Sequence, residues 1–275
     1  MFLKSIDAFD YAKTGEKLFE LLDDVVEKIG EHNVIQVVTD NGSNYVLAGK
    51  LLMEKILNLF WTPCAAHYLN LILEDIGKLP LIQKIIKKKI ISLVSFTYSH
   101  SNMLAMLRHF TNGKELVRHA ITQFATSFLS LERLYEEKGN IRRMFTSDEW
   151  INNKLSKEAK GKEATKIVIM PSFWNHVKYT LKIMGPLVRV LRLIDGEKKP
   201  PMEYIYEAME KAKECIMKIF LNDESKYNDV FKIIDNKWNC QLHCPLLAVG
   251  HFLNPKLFYE NPRIELDLEV TKGVV

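Results

Sequence analysis

Asp40 follows the apolar run Val34-Ile35-Gln36-Val37-Val38-Thr39 and precedes Asn41-Gly42-Ser43-Asn44. A carboxylate at a strand tip stands where open α/β sheets bind ligands, and with one or two partners it can hold a divalent cation. The plainer alternative is an Asp that opens a turn before an Asn-Gly pair. Spacing alone leaves both readings open. Asp7 ends another apolar stretch, Phe2 to Ile6. If the two strands are neighbours, Asp7 and Asp40 can reach one ion, although a strand-terminal Asp more often caps a loop.

Cys64 and His67 form a C-x-x-H at an expected strand-to-helix junction. A Cys and a His at this spacing can chelate zinc, which takes four ligands. The residues that would complete the set are Cys240, His243 and Cys244, far along the chain. Nucleophilic catalysis by Cys64 with His67 lacks an orienting group and an oxyanion hole. A buried Cys beside a hydrogen-bonded His is the favoured reading. Gly42 and Gly49 make no dinucleotide fingerprint, and there is no phosphate-loop motif. Lys84, Lys87, Lys88 and Lys89 form the densest basic cluster, read as a solvated helix face or a phosphate-tracking patch.

The elements that must position these residues can be read from periodicity. Phe2 to Ile6 reads as a strand. Thr14 reads as the cap of a helix in which Leu18, Leu21, Leu22, Val25, Val26 and Ile29 recur at three- and four-residue steps up to Gly30. A strand over 34–39 is apolar on both faces, as a covered parallel strand should be. A helix over 44–57, a strand over 59–62 and a helix over 66–76 complete an α/β alternation. Beyond Pro80 the periods are helical: 81–97, 101–111, 118–137, 148–160, 171–194, 202–221, 226–240 and 245–252. The stretch SKEAKGKEATK, 156 to 166, reads as the most loop-like part of the chain, and 255–275 reads as a poorly ordered tail.

The 275 residues carry 47% hydrophobic and 26% charged side chains, the composition of a globular chain, with a formal net charge of +4. That balance is only mildly basic and is weak evidence for a nucleic-acid partner, since a dedicated binder usually shows a concentrated patch. No apolar run is long enough to span a membrane, so no membrane partner is expected. MFLKSIDAFD does not read as a signal peptide. Four cysteines in a chain of this length suggest a reducing compartment rather than a disulfide framework.

With those segments placed, the stretch from Val34 to Leu79 resembles the core of plant proteins derived from hAT-superfamily DNA transposases. The likeness runs on through HSNMLAMLRHF, KPPMEYIYEAMEKAKECI and DNKWNCQLHCPLLAVGHFLNP. Three features carry it: the T-D-N-x-x-N strand end, the C-x-x-H, and the downstream L-N-P.

The resemblance implies an α/β ribonuclease-H-like partial core of about three strands over 1–80. A mainly α-helical region containing the hAT-type insertion follows over 81–254, then a tail over 255–275. In an intact relative, three acidic residues hold two Mg²⁺ or Mn²⁺ ions for DNA strand cleavage and transfer. Asp40 matches the second of these residues. Cys64 and His67 match a motif that relatives carry near the active site.

The departures are equally specific. The strand with the first Asp would precede Met1, and the Glu would follow Val275, so the chain reads as truncated at both ends. Gln123 stands where relatives carry Arg. One carboxylate of three implies no resident cofactor and no transposition by this chain alone. The expected role is that of a domesticated or decaying transposase-like protein in the nucleus, with weak nonspecific DNA binding or association with other hAT-derived proteins. A nuclear protein-interaction scaffold is the rival. A metal-dependent nuclease using Asp7 with Asp40 is a more distant one.

Overall fold

Thr14 begins the first helix as expected. In the computed structural model its hydroxyl accepts a hydrogen bond from the Lys17 N–H at 3.2 Å, opening α1, Gly15–Ile29. Gly30, at φ 93°, ends α1 and returns its N–H to Val26 and Glu27. The structure describes residues 2–7, 12–116, 124–195, 201–238, 245–255 and 259, without the side chains of 86–88, 124–127, 201–203 and 245–248. The chain divides into two compact units. One comprises Met1–Leu69, Ile194–Glu207 and Asp235–Val275; the other comprises Asn70–Leu193 and Ala208–Ile234.

In the first unit, α1 packs on α2, Ser43–Lys55, which joins strand β1, Gln36–Thr39, to strand β2, Phe60–Pro63. The strands run parallel, with Gln36 opposite Phe60 and Thr39 opposite Pro63. A helix between them is the usual way to join parallel neighbours. Val26, Leu52, Ile56 and Leu59 are buried, with Phe19, Leu22, Val34, Val37 and Met53 packed around them. A second cluster surrounds Tyr206, which stacks on His251 at 5.7 Å and meets the edge of Trp238 at 5.1 Å. The Tyr68 hydroxyl donates to the Lys237 carbonyl.

The second unit is mainly helical. Helix α3, Ala65–Lys78, begins at the end of the first unit's β2. It is followed by α4, Pro80–Gln83, a π-helical stretch Lys84–Ile90, then α5, Ile91–Tyr98, and α6, Ser101–Phe110. Next come α7, Phe124–Glu136; α8, Lys138–Phe145; α9, Asp148–Ile151; α10, Lys154–Lys157; and α11, Ala159–Ile169. Helices α12, Pro171–Ile194, α13, Pro201–Ile219, and α14, Asn228–Lys237, follow, and α15, Pro245–Leu253, belongs to the first unit. Trp150 is fully buried, with its ring edge-on to Phe145 at 4.9 Å and to Phe96 at 6.3 Å.

The three-strand α/β core expected from the sequence is corrected by this architecture. The chain is mainly helical, and among the described residues the sheet has only the two parallel strands β1 and β2. Residues 2–7 form no strand and are exposed throughout. The reason is that a strand is defined by pairing: its alternate N–H and C=O groups need a neighbour at the right register. Phe2-Leu3-Lys4-Ser5-Ile6 presents no consistently apolar face to reward such pairing. A second correction concerns 156–166. Apart from a bend at Glu158, the stretch is helical, because Ala164, Ile167 and Val168 bury one side of α11 while its lysines stay outside.

Candidate functional site

The site is built at the ends of the two parallel strands. The ladder extends one step past β1, where the Cys64 N–H donates to the Thr39 carbonyl at 2.7 Å. The Thr39 hydroxyl accepts from Trp61 Nε1 at 2.9 Å and donates to the Asp40 carbonyl at 3.0 Å. Across the strands, Gln36 Nε2 donates to Thr62 Oγ1 at 2.6 Å. These bonds hold the backbone from which Asp40 projects.

Trp61 is held in turn by α2. A Cβ on Gly49 would lie 2.2 Å from Trp61 Cγ, so the indole rests where only a glycine leaves room. Asn44 secures the start of α2 by donating from Nδ2 to the Lys13 carbonyl at 3.0 Å. The second Asn of T-D-N-x-x-N thus ties two segments of the scaffold together.

Asp40 Oδ1 lies 3.7 Å from His67 Nδ1, with the carboxylate 62% and the imidazole 42% exposed. His67 stands in the first turn of α3, one turn beyond Cys64, whose thiol is free and half-buried. The Cys64 carbonyl accepts the Tyr68 N–H at 2.9 Å and so starts the helix. An exposed Asp–His contact of this length contributes about 0–1 kcal/mol. It can relay a proton or share a weakly held cation. Among the described residues, no group of three or more His, Cys, Asp or Glu side chains is placed to hold a metal ion.

The structure therefore brings Asp40, Cys64 and His67 to one strand-end locality. Asp7 lies in segment 2–7, which forms no strand. Cys240, His243, Cys244 and Gln123 lie outside the described residues, as do the side chains of Lys87 and Lys88. Lys84 is exposed. Lys89 is half-buried, with its Nζ 5.8 Å from the Phe173 ring centre and 3.7 Å from Met170 Sδ. It is part of the packing rather than of an outward lysine face.

The supports Thr39, Trp61 and Gly49 were not visible beforehand, because nothing in their spacing signals that they meet. The lysines of α10 and α11 carry a signal in the sequence, a dense charge run, part of it in the stretch 156–166 that reads as loop-like.

Residues 1–90 match the family described as Domain of unknown function (DUF659), a span that includes Asp40, Cys64 and His67. No curated protein and no solved structure was found to match the chain.

Proposed function

We propose that this chain is a hAT-type transposase-derived protein that does not cleave DNA by itself and associates with nucleic acid through backbone phosphates. The observation carrying this reading is the DUF659 match over residues 1–90, since that domain occurs in hAT-type transposase-like proteins. Such a protein would work in the nucleus.

Two-metal strand cleavage requires two ions clamped about 4 Å apart by several ligands. Among the described residues, Asp40 and His67 supply one exposed carboxylate and one imidazole. That donor set does not fit a two-metal centre, and no step is derived through one. The pair is suited to hydrogen bonding and charge, not to holding a second ion.

The test is incubation of the purified chain with supercoiled plasmid and Mg²⁺ or Mn²⁺. The expected result is intact plasmid. Nicking that disappears in Asp40→Ala would refute the non-cleaving reading.

A second reading, as a protein-interaction scaffold, rests on Ile35, Val38 and Phe60, which are 65%, 54% and 40% exposed along the small sheet. An open sheet edge with apolar side chains is a template for another chain. Concentration-dependent self-association by light scattering, abolished in Val38→Lys, would favour it.

A further inference from the structure

Residues 138–166 carry eight Lys and Arg against four Asp and Glu, an excess equal to the net charge of the whole chain. The lysines of 84–89 carry the same excess in six residues, so α8 to α11 form a second and broader basic region. Within it, Lys154, Lys157, Lys160, Lys162 and Lys166 are all exposed. None of the five is held in an ion pair or hydrogen bond through its ammonium group among the described residues.

Lys13, Lys50, Lys84 and Lys178 are also exposed with no ion pair among the described residues, whereas several lysines elsewhere are already engaged. Lys17, Lys28, Lys78, Lys218 and Lys226 each hold an acid three or four positions away. Glu158 and Glu163 lie among the five lysines, yet neither closes such a pair.

The five cations are carried on a fixed frame. A Cβ on Gly161 would lie 1.8 Å from the Leu155 carbonyl oxygen, so α11 crosses the α10 backbone in direct contact. Trp150 Nε1 donates to Thr165 Oγ1 at 3.0 Å, and Trp174 Nε1 donates to the Val168 carbonyl at 2.7 Å. Asn153 caps α10 by accepting the Leu155 N–H at 3.0 Å. Helix α11 also packs on α5 and α8. Lys162 and Lys166, one turn apart, lie opposite the buried Ala164, Ile167 and Val168, while Lys160 leaves the first turn of α11 in another direction.

We infer that the exposed lysines of α10 and α11 form a surface that binds the phosphate backbone of a nucleic acid. The inference rests on the nucleic-acid association proposed above and assigns it a place. Unpaired ammonium groups on a rigid surface can replace counterions on a phosphate chain without first breaking ion pairs. The same face offers little for reading base edges, so binding is independent of sequence. A bilayer is the poorer fit. An interfacial helix turns a broad apolar face into the membrane, whereas most of α11's apolar face is already buried in the protein.

The test compares three full-length proteins by fluorescence anisotropy on labelled duplex DNA and duplex RNA across about 50 to 200 mM salt. One is native. The second carries Lys→Gln at 154, 157, 160, 162 and 166. The third carries Lys→Gln at the ion-paired positions 17, 28, 78, 218 and 226, an equal loss of charge. Circular dichroism checks each fold, and Lys162→Gln/Lys166→Gln serves as a milder version of the second protein.

The expected result is a salt slope reduced by roughly 4 to 5 in the second protein and by roughly 2 in its milder version, with little change in the third. Native binding left intact in the second protein, or weakened equally in the second and third, would overturn the assigned surface while leaving nucleic-acid association standing. No native binding to either duplex at low salt would overturn both. Binding to anionic vesicles but not to duplexes, lost in the second protein, would assign the face to a membrane instead.

Discussion

Gly49 and Trp61 occupy the same space in the sense that matters: a Cβ on the glycine would fall 2.2 Å from the indole Cγ. The indole N–H is bonded to Thr39, and the Thr39 hydroxyl is bonded to the Asp40 carbonyl. A single missing methyl group on α2 thus sets the backbone at the strand end.

Gly49→Ala is predicted to destabilise the protein. In an exposed helix interior the change would gain about 1 kcal/mol from propensity. Here it forces a rigid aromatic ring to move, and overpacking of this kind costs about 1–3 kcal/mol. A lower urea midpoint and a shifted tryptophan emission are expected. An unchanged or raised midpoint would mean that the indole moves freely.

Gly161 and Gly139 form a contrasting pair. The clash at Gly161 is with backbone, the Leu155 carbonyl, whereas nothing lies within 4 Å of a Cβ on Gly139. Gly161→Ala should therefore lower stability by about 1–3 kcal/mol. Gly139→Ala should raise it by about 0.4–1 kcal/mol through the unfolded chain and helix propensity. Thermal melts of both variants decide the matter, and equal shifts in one direction would contradict the α10–α11 contact.

Glu137 links stability to pH. Its carboxylate is buried; it accepts from Asn140 Nδ2 at 2.7 Å and faces Lys114 Nζ at 3.3 Å. The Asn140 hydrogen bond, with Lys114 and Arg133, holds the Glu137 pKa below the usual carboxylate value, against the opposing effect of burial. The unfolded chain then binds a proton more readily than the folded one. The stabilisation is present above the ordinary glutamate pKa of about 4.3 and is lost as pH falls through the lower folded value. Glu137→Gln should cost about 1–3 kcal/mol near neutral pH, and the gap from native should narrow in acid. Urea midpoints measured at neutral pH and below pH ~4 test the sign; a gap that widens in acid would reverse the assignment.

The ends of α1 were legible in the sequence because their causes are local. Thr14 accepts from a backbone N–H three residues on, and Gly30 adopts a positive φ that other residues resist. The same holds for α12, whose helical period from Pro171 to Ile194 matches the structure. Asp40 at a strand tip and Cys64 and His67 at the next helix start were also read from order along the chain, and the parallel pairing of β1 with β2 makes them neighbours. What the sequence could not decide was pairing and facing. Phe2 to Ile6 has strand-like composition, yet those residues are exposed and form no strand, because a strand exists only where a partner meets its hydrogen bonds. Lys89 and Lys162 look alike in a charge count. Tertiary packing lays one over Phe173 and leaves the other in solvent, since a long aliphatic stem can follow whichever surface lies beside it. The contact of Gly49 with Trp61 is of the same kind. They stand twelve positions apart, and only the packing of α2 on β2 sets the indole where a Cβ on the glycine would be.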